Sequence, residues 1–237
     1  MEQNRENNLK NIKNYVMKKL AIIVPYRDRE DHLKQFIPHM ENYLIDDLEG
    51  EAEYKIFIIN QDDSKPFNRA KLLNVGFKES EEFDYFAFHD VDMLPTDSDY
   101  SYVEEPTHLA TEVEQFEFKL PYDGYFGGVT IFDKANFRKI NGYANEYWGW
   151  GAEDDDVLLR CAMLGVQTSR KSCRYKSLDH SRHIDGIPYQ KNLNKFFDFR
   201  SNPTIETIMG DGLSTLVYEK TGEKNITPNA VYINVKI

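Results

Sequence analysis

The sequence predicts an α/β fold with a mostly parallel central sheet flanked by helices. Three short apolar segments, 20–24, 54–60 and 84–88, have the composition of buried strands. Two segments between them, 33–44 and 67–78, carry apolar residues three or four positions apart, as amphipathic helices do. Strands that alternate with helices in this way are typical of a parallel sheet, because a parallel pair needs a long crossover connection.

The other segments are consistent with this fold. Pro38 lies inside the first helical segment and is expected to kink it or divide it in two. Residues 125–132 predict a strand entered through two glycines, and Asp133 predicts the N-cap of a short helix. A further helix is expected over 153–165, and residues 230–237 alternate as a strand does.

Length and charge narrow the classes of function. A chain of 237 residues with 41% hydrophobic residues predicts a polar leader, 1–19, followed by one domain, 20–237. The formal net charge of −11 argues against a surface that binds nucleic acid. An acidic protein that binds a phosphorylated ligand needs local cations or a metal ion.

The sequence also bears on the compartment. No apolar run approaches the ~20 residues that span a membrane, and the polar leader is unlike a signal peptide. The leader is therefore expected to be either a solvated helix or a peripheral contact with an anionic lipid surface. Cys161 and Cys173 are expected to be buried free thiols rather than a disulfide. These features together predict a cytoplasmic protein.

An Asp-Val-Asp triplet follows the third predicted strand. Ligands of open α/β sheets bind outside the carboxyl ends of the strands, which is where Asp90, Val91 and Asp92 fall. Two carboxylates one residue apart offer the oxygen ligands that Mg²⁺ and Mn²⁺ favour, and such a cation can bridge to a diphosphate. The triplet therefore predicts a metal site, with a solvated turn as the alternative.

A second cluster combines both tryptophans of the chain with four consecutive carboxylates. Trp148 and Trp150 alternate with glycines, and residues 153–156 then open the predicted helix as Glu-Asp-Asp-Asp. A helix N-terminus favours ionised carboxylates, but one acidic residue is enough for capping. The surplus indicates a site in which a sugar stacks on tryptophan. A carboxylate there acts as general base for a hydroxyl of that sugar.

On these motifs the chain resembles the β-1,4-galactosyltransferase family over roughly residues 20–218. The motifs that carry the resemblance are 24–29 (VPYRDR), 67–76 (FNRAKLLNVG), 90–92 (DVD), 125–128 (YFGG) and 148–156 (WGWGAEDDD). The resemblance implies a GT-A-like glycosyltransferase fold. It also implies an inverting, metal-dependent hexosyltransferase that moves galactose from UDP-galactose to a sugar hydroxyl with a β-linkage, β-1,4 in the family.

Carried over residue by residue, the resemblance implies a role for each matching position. Asp154 corresponds to the catalytic base and Glu153 to its acidic neighbour. The implied donor-binding residues are Pro25, Tyr26, Arg27, Arg29, Phe67, Arg69, Asp90, Val91, Tyr125 and Trp150. The implied acceptor-binding residues are Asp155, Trp150 and Tyr125. The arginines of this set are the groups that answer the charge of the diphosphate.

The implied cofactor is Mn²⁺, bound by Asp92 and His180. Ser177 stands where the best-known members have a methionine ligand, and Arg182 stands where members acting on xylose have a second histidine. His183 lies one position further on, so the ligand set beyond Asp92 and His180 stays open.

Donor and acceptor identity rest on less. A tyrosine before Phe-Gly-Gly goes with galactose in the family, which makes Tyr125 the reason to expect UDP-galactose rather than UDP-GalNAc or UDP-glucose. The expected acceptor is a glycan or a lipid-linked sugar, with GlcNAc, glucose, galactose and xylose all left open. A catalytically silent module that binds a nucleotide sugar or glycan is the alternative from a different class.

Overall fold

The structure, a computed structural model, describes residues 17–179 and 186–237, with the backbone alone for 186–188. The strands are β1 (Lys18–Tyr26), β2 (Ala52–Gln61), β3 (Tyr85–His89), β4 (Met93–Asp97), β5 (Thr107–His108), β6 (Glu112–Val113), β7 (Val129–Asp133), β8 (Ser169–Arg170), β9 (Arg174–Ser177), β10 (Glu219–Thr227) and β11 (Ala230–Lys236). The helices are α1 (Glu30–Asp47), α2 (Arg69–Glu79), α3 (Lys134–Lys139), α4 (Glu153–Met163), α5 (Gly186–Ser201) and α6 (Ile205–Gly210), with 3-10 turns at Glu114–Phe116 and Leu213–Thr215.

The central sheet confirms the predicted α/β fold. Its strand order is β10-β11-β2-β1-β3-β7-β5-β8. Parallel pairing joins β1 to both β2 and β3, and joins β11 to β2, whereas β7 runs antiparallel to β3 and β5. Helices α1 and α2 are the crossovers between the first three strands. The carboxyl ends of β1, β2 and β3 therefore meet at one edge, and the loops that follow them form a common surface.

Pro38 does not divide the first helix. Helix α1 continues through it for 18 residues, so that part of the expectation is wrong. Pro38 lies on the exposed face, where water can take the backbone bond that its missing N–H leaves open. The opposite face buries Phe36, Met40 and Leu44 against the sheet, and this packing holds the helix together.

The predicted strand at 125–132 is shorter than expected. Strand β7 begins only at Val129, because the residues before it, 122–128, form an irregular turn. The amide of Tyr125 donates to the carbonyl of Tyr122, and the amide of Val129 donates to that of Gly127. Gly128, between them, has a φ of 77°, a conformation that glycine adopts without strain. The sequence of 125–132 therefore predicts the strand correctly only from Val129 onward.

Other local predictions are confirmed. The Asp133 carboxylate accepts hydrogen bonds from the amides of Ala135 and Asn136, capping α3. Helix α4 and strand β11 lie where the sequence placed them. Cys161 and Cys173 are free and buried.

A small second sheet, β4-β9-β6, was not predicted. It pairs Met93 with Ser177, and the amide of Leu178 donates to the Asp92 carbonyl at 2.8 Å. The segment that follows the Asp-Val-Asp triplet is thereby tied to the segment that leads to His180. Within the described residues, no helix is long and apolar enough to cross a membrane. The division into a leader and one domain stays a prediction, and residues 1–16 of that leader lie outside the described part.

Candidate active site

Four charged side chains from three segments of the chain converge at the carboxyl edge of the sheet. Asp90 directly follows β3, Arg69 opens α2, and Glu153 and Asp154 open α4. Arg69 Nε donates to Asp90 Oδ1 at 2.6 Å, and Arg69 Nη1 donates to Asp154 Oδ1 at 2.9 Å. The Glu153 carboxylate lies 3.7 Å from the same Nη1. We call this group the Arg69 cluster.

The Arg69 cluster holds three carboxylates around one guanidinium. Its side chains are largely buried, that of Arg69 being only 13% exposed. Burial raises the pKa of Asp154 to about 8; Arg69 opposes the shift, while Glu153 and Asp90 add to it. Burial also raises the pKa of Glu153. The cluster therefore places a carboxyl group whose proton affinity matches neutral pH, as a general base needs.

Gly127 provides the space that Asp154 occupies. A Cβ atom at Gly127 would lie 2.5 Å from Asp154 Oδ2 and 2.9 Å from the ring of Tyr125. The neighbouring Gly128 carbonyl accepts the Asp90 amide at 3.0 Å. The turn before β7 thus lies against the Asp154 carboxylate and bonds the backbone of Asp90.

Tyr125, predicted at both the donor and the acceptor site, faces the same carboxylates. Burial, then the charges of Asp154 and Asp90, raise the pKa of its hydroxyl. Its ring packs edge-on against those of Tyr122 and Phe116. The structure therefore brings Tyr125 and Asp154 together, although they are 29 positions apart in the chain (154 − 125).

Asp155, predicted to contact the acceptor, points to an aromatic partner. The hydroxyl of Tyr122 donates to Asp155 Oδ1 at 3.0 Å, and the Tyr122 side chain is about half exposed. The sequence analysis did not select Tyr122. Its position three residues before Tyr125, in a segment with a proline and a glycine, is the signal that identifies it as part of the same turn.

The tryptophan loop lies beside these groups. Trp150 is 51% exposed and stacks at an angle on Tyr189, with ring centroids 5.1 Å apart. The side-chain amide of Asn192 donates to the carbonyls of Trp148 and Trp150. Trp148 is half-buried against the core, so only Trp150 presents an open aromatic face.

The predicted donor residues after β1 form a second group. Arg27 donates to the Lys65 carbonyl at 2.7 Å and lies over the Phe67 ring at 5.4 Å. The Arg29 amide donates to the hydroxyl of Tyr26. Pro25 is buried and in register with Ile59 of β2, and Val91 is also buried. Arg27 and Phe67 are brought together, as a common site requires.

Of the two residues implied for a metal, the structure describes Asp92. Asp92 is half-buried and follows the same strand as Asp90, and carboxylate oxygens suit Mn²⁺ and Mg²⁺. His180 and His183 lie outside the described residues, but Leu178, two positions before His180, is bonded to Asp92. In 17–179 and 186–237 no group of three or more His, Cys, Asp or Glu side chains could hold a metal.

The fourth carboxylate of α4 has a different environment. Asp156 contacts Arg160 Nε and accepts the Tyr147 hydroxyl at 2.9 Å, and the two charged side chains are only 1–2% exposed. Arg160 also reaches the carbonyls of Gly142 and Ile208. We call this group the Arg160 cluster. It is closed to ligands and belongs to the core.

A mixed α/β sheet whose carboxyl edge carries an Asp-x-Asp triplet and a carboxylate cluster defines a glycosyltransferase of the GT-A class. Two family models match, "N-terminal region of glycosyl transferase group 7" over residues 7–104 and "N-terminal domain of galactosyltransferase" over 107–184. The chain belongs to glycosyltransferase family 7, the β-1,4-galactosyltransferase family.

Individual relatives agree with this assignment. β-1,4-Galactosyltransferase 1 of Bos taurus is 39% identical over 208 residues, which are 84% of this chain and 50% of the relative. β-1,4-Galactosyltransferase 4 of Homo sapiens is 36% identical over 229 residues, 93% of this chain and 63% of the relative. The chain thus spans about half the length of the bovine relative.

Solved structures match as well. The catalytic domain of Drosophila β-1,4-galactosyltransferase 7, in complex with xylobiose, superimposes with a TM-score of 0.75 at 32% identity. The match covers 93% of this chain and 94% of that one. A mutant of the same protein, 30% identical, was solved with manganese, UDP-Gal and xylobiose.

Proposed function

We propose that this protein transfers galactose from UDP-galactose to a sugar hydroxyl with inversion, giving a β-linkage, β-1,4 by analogy with the family. The observation that carries the proposal is the Arg69 cluster. A buried carboxyl group, Asp154, has its proton affinity raised to the neutral range beside an open aromatic surface.

Asp154 acts as the general base. It removes the proton from the acceptor hydroxyl as the oxygen attacks the anomeric carbon from the face opposite UDP. Arg69 orients the Asp154 carboxylate through its 2.9 Å bond and keeps part of the population ionised. Glu153 adds negative charge beside the base and thereby raises the proton affinity of Asp154.

The nucleotide end of the donor lies against the second group of residues. Arg27 and Arg29 supply positive charge toward the diphosphate, and Phe67 gives a flat apolar surface under Arg27. Pro25, Tyr26 and Val91 form the wall of this pocket.

Asp92 and His180 are the residues that hold Mn²⁺. When bound, the ion neutralises the leaving diphosphate as a Lewis acid. The manganese in the Drosophila relative supports this assignment. We expect Mn²⁺ to support higher activity than Mg²⁺, because a histidine ligand softens the site.

Trp150, Tyr125 and Asp155 form the acceptor side. The structure of the Drosophila relative contains xylobiose. For this chain, GlcNAc, glucose, galactose and xylose are the acceptors to be tested. Tyr125 crowds the second carbon of the donor sugar, which favours galactose over its N-acetylated analogue.

The test is a panel of UDP-sugars against these acceptors with Mn²⁺, with the anomeric configuration of each product read by NMR. We expect β-linked product from UDP-galactose, and none with Asp92→Ala or in excess chelator. Calorimetric titration of Mn²⁺ with UDP into the Asp92→Ala variant reports the metal site independently of turnover. Preference for UDP-GalNAc or UDP-glucose would overturn the donor assignment. Donor binding without turnover on any acceptor would favour the silent binding module.

A further inference from the structure

One histidine of the core has a ring that is only partly hydrogen-bonded. His108 is fully buried, and burial lowers its pKa to about 4, so the ring is neutral. Its Nε2 lies 2.8 Å from the Gly127 carbonyl and therefore carries the proton. Its Nδ1 is buried and has no hydrogen-bond partner among the described residues.

An unpartnered buried nitrogen costs stability that an apolar side chain would not. Leucine could fill this place among the rings of Tyr125 and Phe126, which lie 5.4 and 5.5 Å from the imidazole. What the imidazole adds is its hydrogen bond to Gly127. The residue therefore has a use beyond packing.

A second residue holds the same turn from the next strand. Arg170 of β8 is in register with His108 of β5. Its guanidinium donates to the carbonyl of Asp123 at 2.7 Å and to that of Tyr125 at 3.1 Å. The two side chains together take three carbonyls of the turn that precedes β7.

This turn carries the parts of the site that need the most accurate placement. Its Gly127 leaves the space for Asp154, and its Gly128 carbonyl holds the Asp90 amide. Tyr125 lies in the middle of this turn. A shift of the turn therefore moves the group that crowds the donor sugar and closes the space beside the base.

We propose that His108 and Arg170 are positioning residues that fix the 122–128 turn through its carbonyls and thereby set donor discrimination. The part concerning discrimination rests on the proposed role of Tyr125. The part concerning the turn does not, since it follows from the hydrogen bonds alone.

The experiment compares His108→Leu, His108→Gln and Arg170→Ala with the unmodified chain. Amide hydrogen exchange is followed at Val129, whose N–H donates to the Gly127 carbonyl. The ratio of kcat/KM for UDP-galactose over UDP-GalNAc is measured with one acceptor. We expect His108→Leu to speed exchange in the turn and to lower the ratio by roughly 2- to 10-fold, the scale of one net hydrogen bond.

The glutamine variant separates bonding from packing. Its side-chain amide can still donate to Gly127, so His108→Gln should retain most of the protection and of the ratio. If leucine and glutamine behave alike, the hydrogen bond has no role and the proposal is overturned. Arg170→Ala, an exposed position, tests the same turn should the core variants fail to fold.

His39→Leu is the matched control. It removes a histidine–carbonyl bond of the same kind, His39 Nε2 to the Pro95 carbonyl at 2.7 Å, far from the turn in sequence. It should change neither readout. Tyr125→Leu, expected to shift the donor ratio by about 10- to 200-fold, provides the reference.

The outcomes distinguish the two levels of the argument. If Tyr125→Leu leaves the ratio unchanged, the donor role of Tyr125 fails, and the positioning role is judged by exchange alone. If Tyr125→Leu shifts the ratio but His108→Leu and Arg170→Ala change neither exchange nor ratio, the positioning role is wrong.

Discussion

Helix α4 contributes carboxylates to two arginine clusters that differ in their balance of charge. In the Arg160 cluster one guanidinium meets one carboxylate and two carbonyls, the carboxylate also accepts a tyrosine hydroxyl, and the two charged side chains are almost fully buried. In the Arg69 cluster one guanidinium meets three carboxylates at a partly open edge. The first arrangement is satisfied within the fold. Among the described residues, the second has more carboxylates than cations.

On the proposed function, the comparison indicates what separates a structural ion pair from a functional one. Both clusters contain short bonds, so distance does not distinguish them. The exposure of the carboxylates and, among the described residues, the ratio of cations to carboxylates do. Breaking the balanced cluster should cost stability, whereas removing charge from the unbalanced one should cost activity.

The largest effect is expected from Asp156→Asn. It leaves the Arg160 charge buried without its carboxylate, which typically costs about 3–5 kcal/mol of unfolding free energy. Urea unfolding near pH 8 measures it. Asp155→Asn, one position earlier and partly exposed, is the control and should lose at most about 1 kcal/mol. Equal losses at both positions would remove the distinction between the two environments.

Asp154→Asn should lower kcat by roughly 10²-fold or more, the usual scale for losing a general base. The amide keeps the shape and the bond to Arg69 but cannot accept a proton. UDP-galactose binding, measured by calorimetry with Mn²⁺, should stay close to that of the unmodified chain. Lost donor binding with intact turnover per bound donor would make Asp154 a donor ligand instead.

The pH dependence of kcat/KM should report the same carboxyl group. The pKa of Asp154 is raised to about 8, and only the ionised form accepts a proton. Activity should therefore fall as the pH drops below 8, toward about tenfold per pH unit. Replacing Arg69, which holds this pKa down, should move the decline to higher pH. A rate that is flat between pH 6 and 9 would contradict the assignment.

The smallest effect is the most diagnostic. A pKa raised on folding gives stability that is complete below the unfolded pKa of Asp and is lost as the pH rises through the folded one. Asp154→Asn should therefore stabilise the protein at pH 9, by roughly 0.5–2 kcal/mol, and have no effect near pH 3. Asp154→Asn is thus expected to raise the free energy of unfolding at pH 9, whereas Asp156→Asn, two positions along the helix, lowers it.

The sequence was sufficient for strands β1 to β3 and β11 but not for β10 or the small second sheet, and the roles of the site residues stay predictions. Apolar periodicity located β1 to β3, α2 and α4, and the motifs placed Arg69, Asp90 and Asp154 at one edge. It could not divide the four carboxylates of α4 between two environments, because the partner of Asp156 is decided by the tertiary packing of Arg160. It likewise read residues 125–128 as strand, since alternation of side chains does not reveal a carbonyl turned toward a buried histidine.

On the proposed function, the absence of a Cβ atom at Gly127 affects how the donor range can change. A substituent there collides with both Asp154 and Tyr125, so the position couples rate to selectivity. Exchanges at Tyr125, by contrast, remove bulk without approaching the base. Adaptation toward a larger donor sugar can therefore proceed through substitutions at position 125 but not through substitutions at position 127. A library that randomises position 125 should yield active variants of altered preference, while one at position 127 should yield mostly silent proteins.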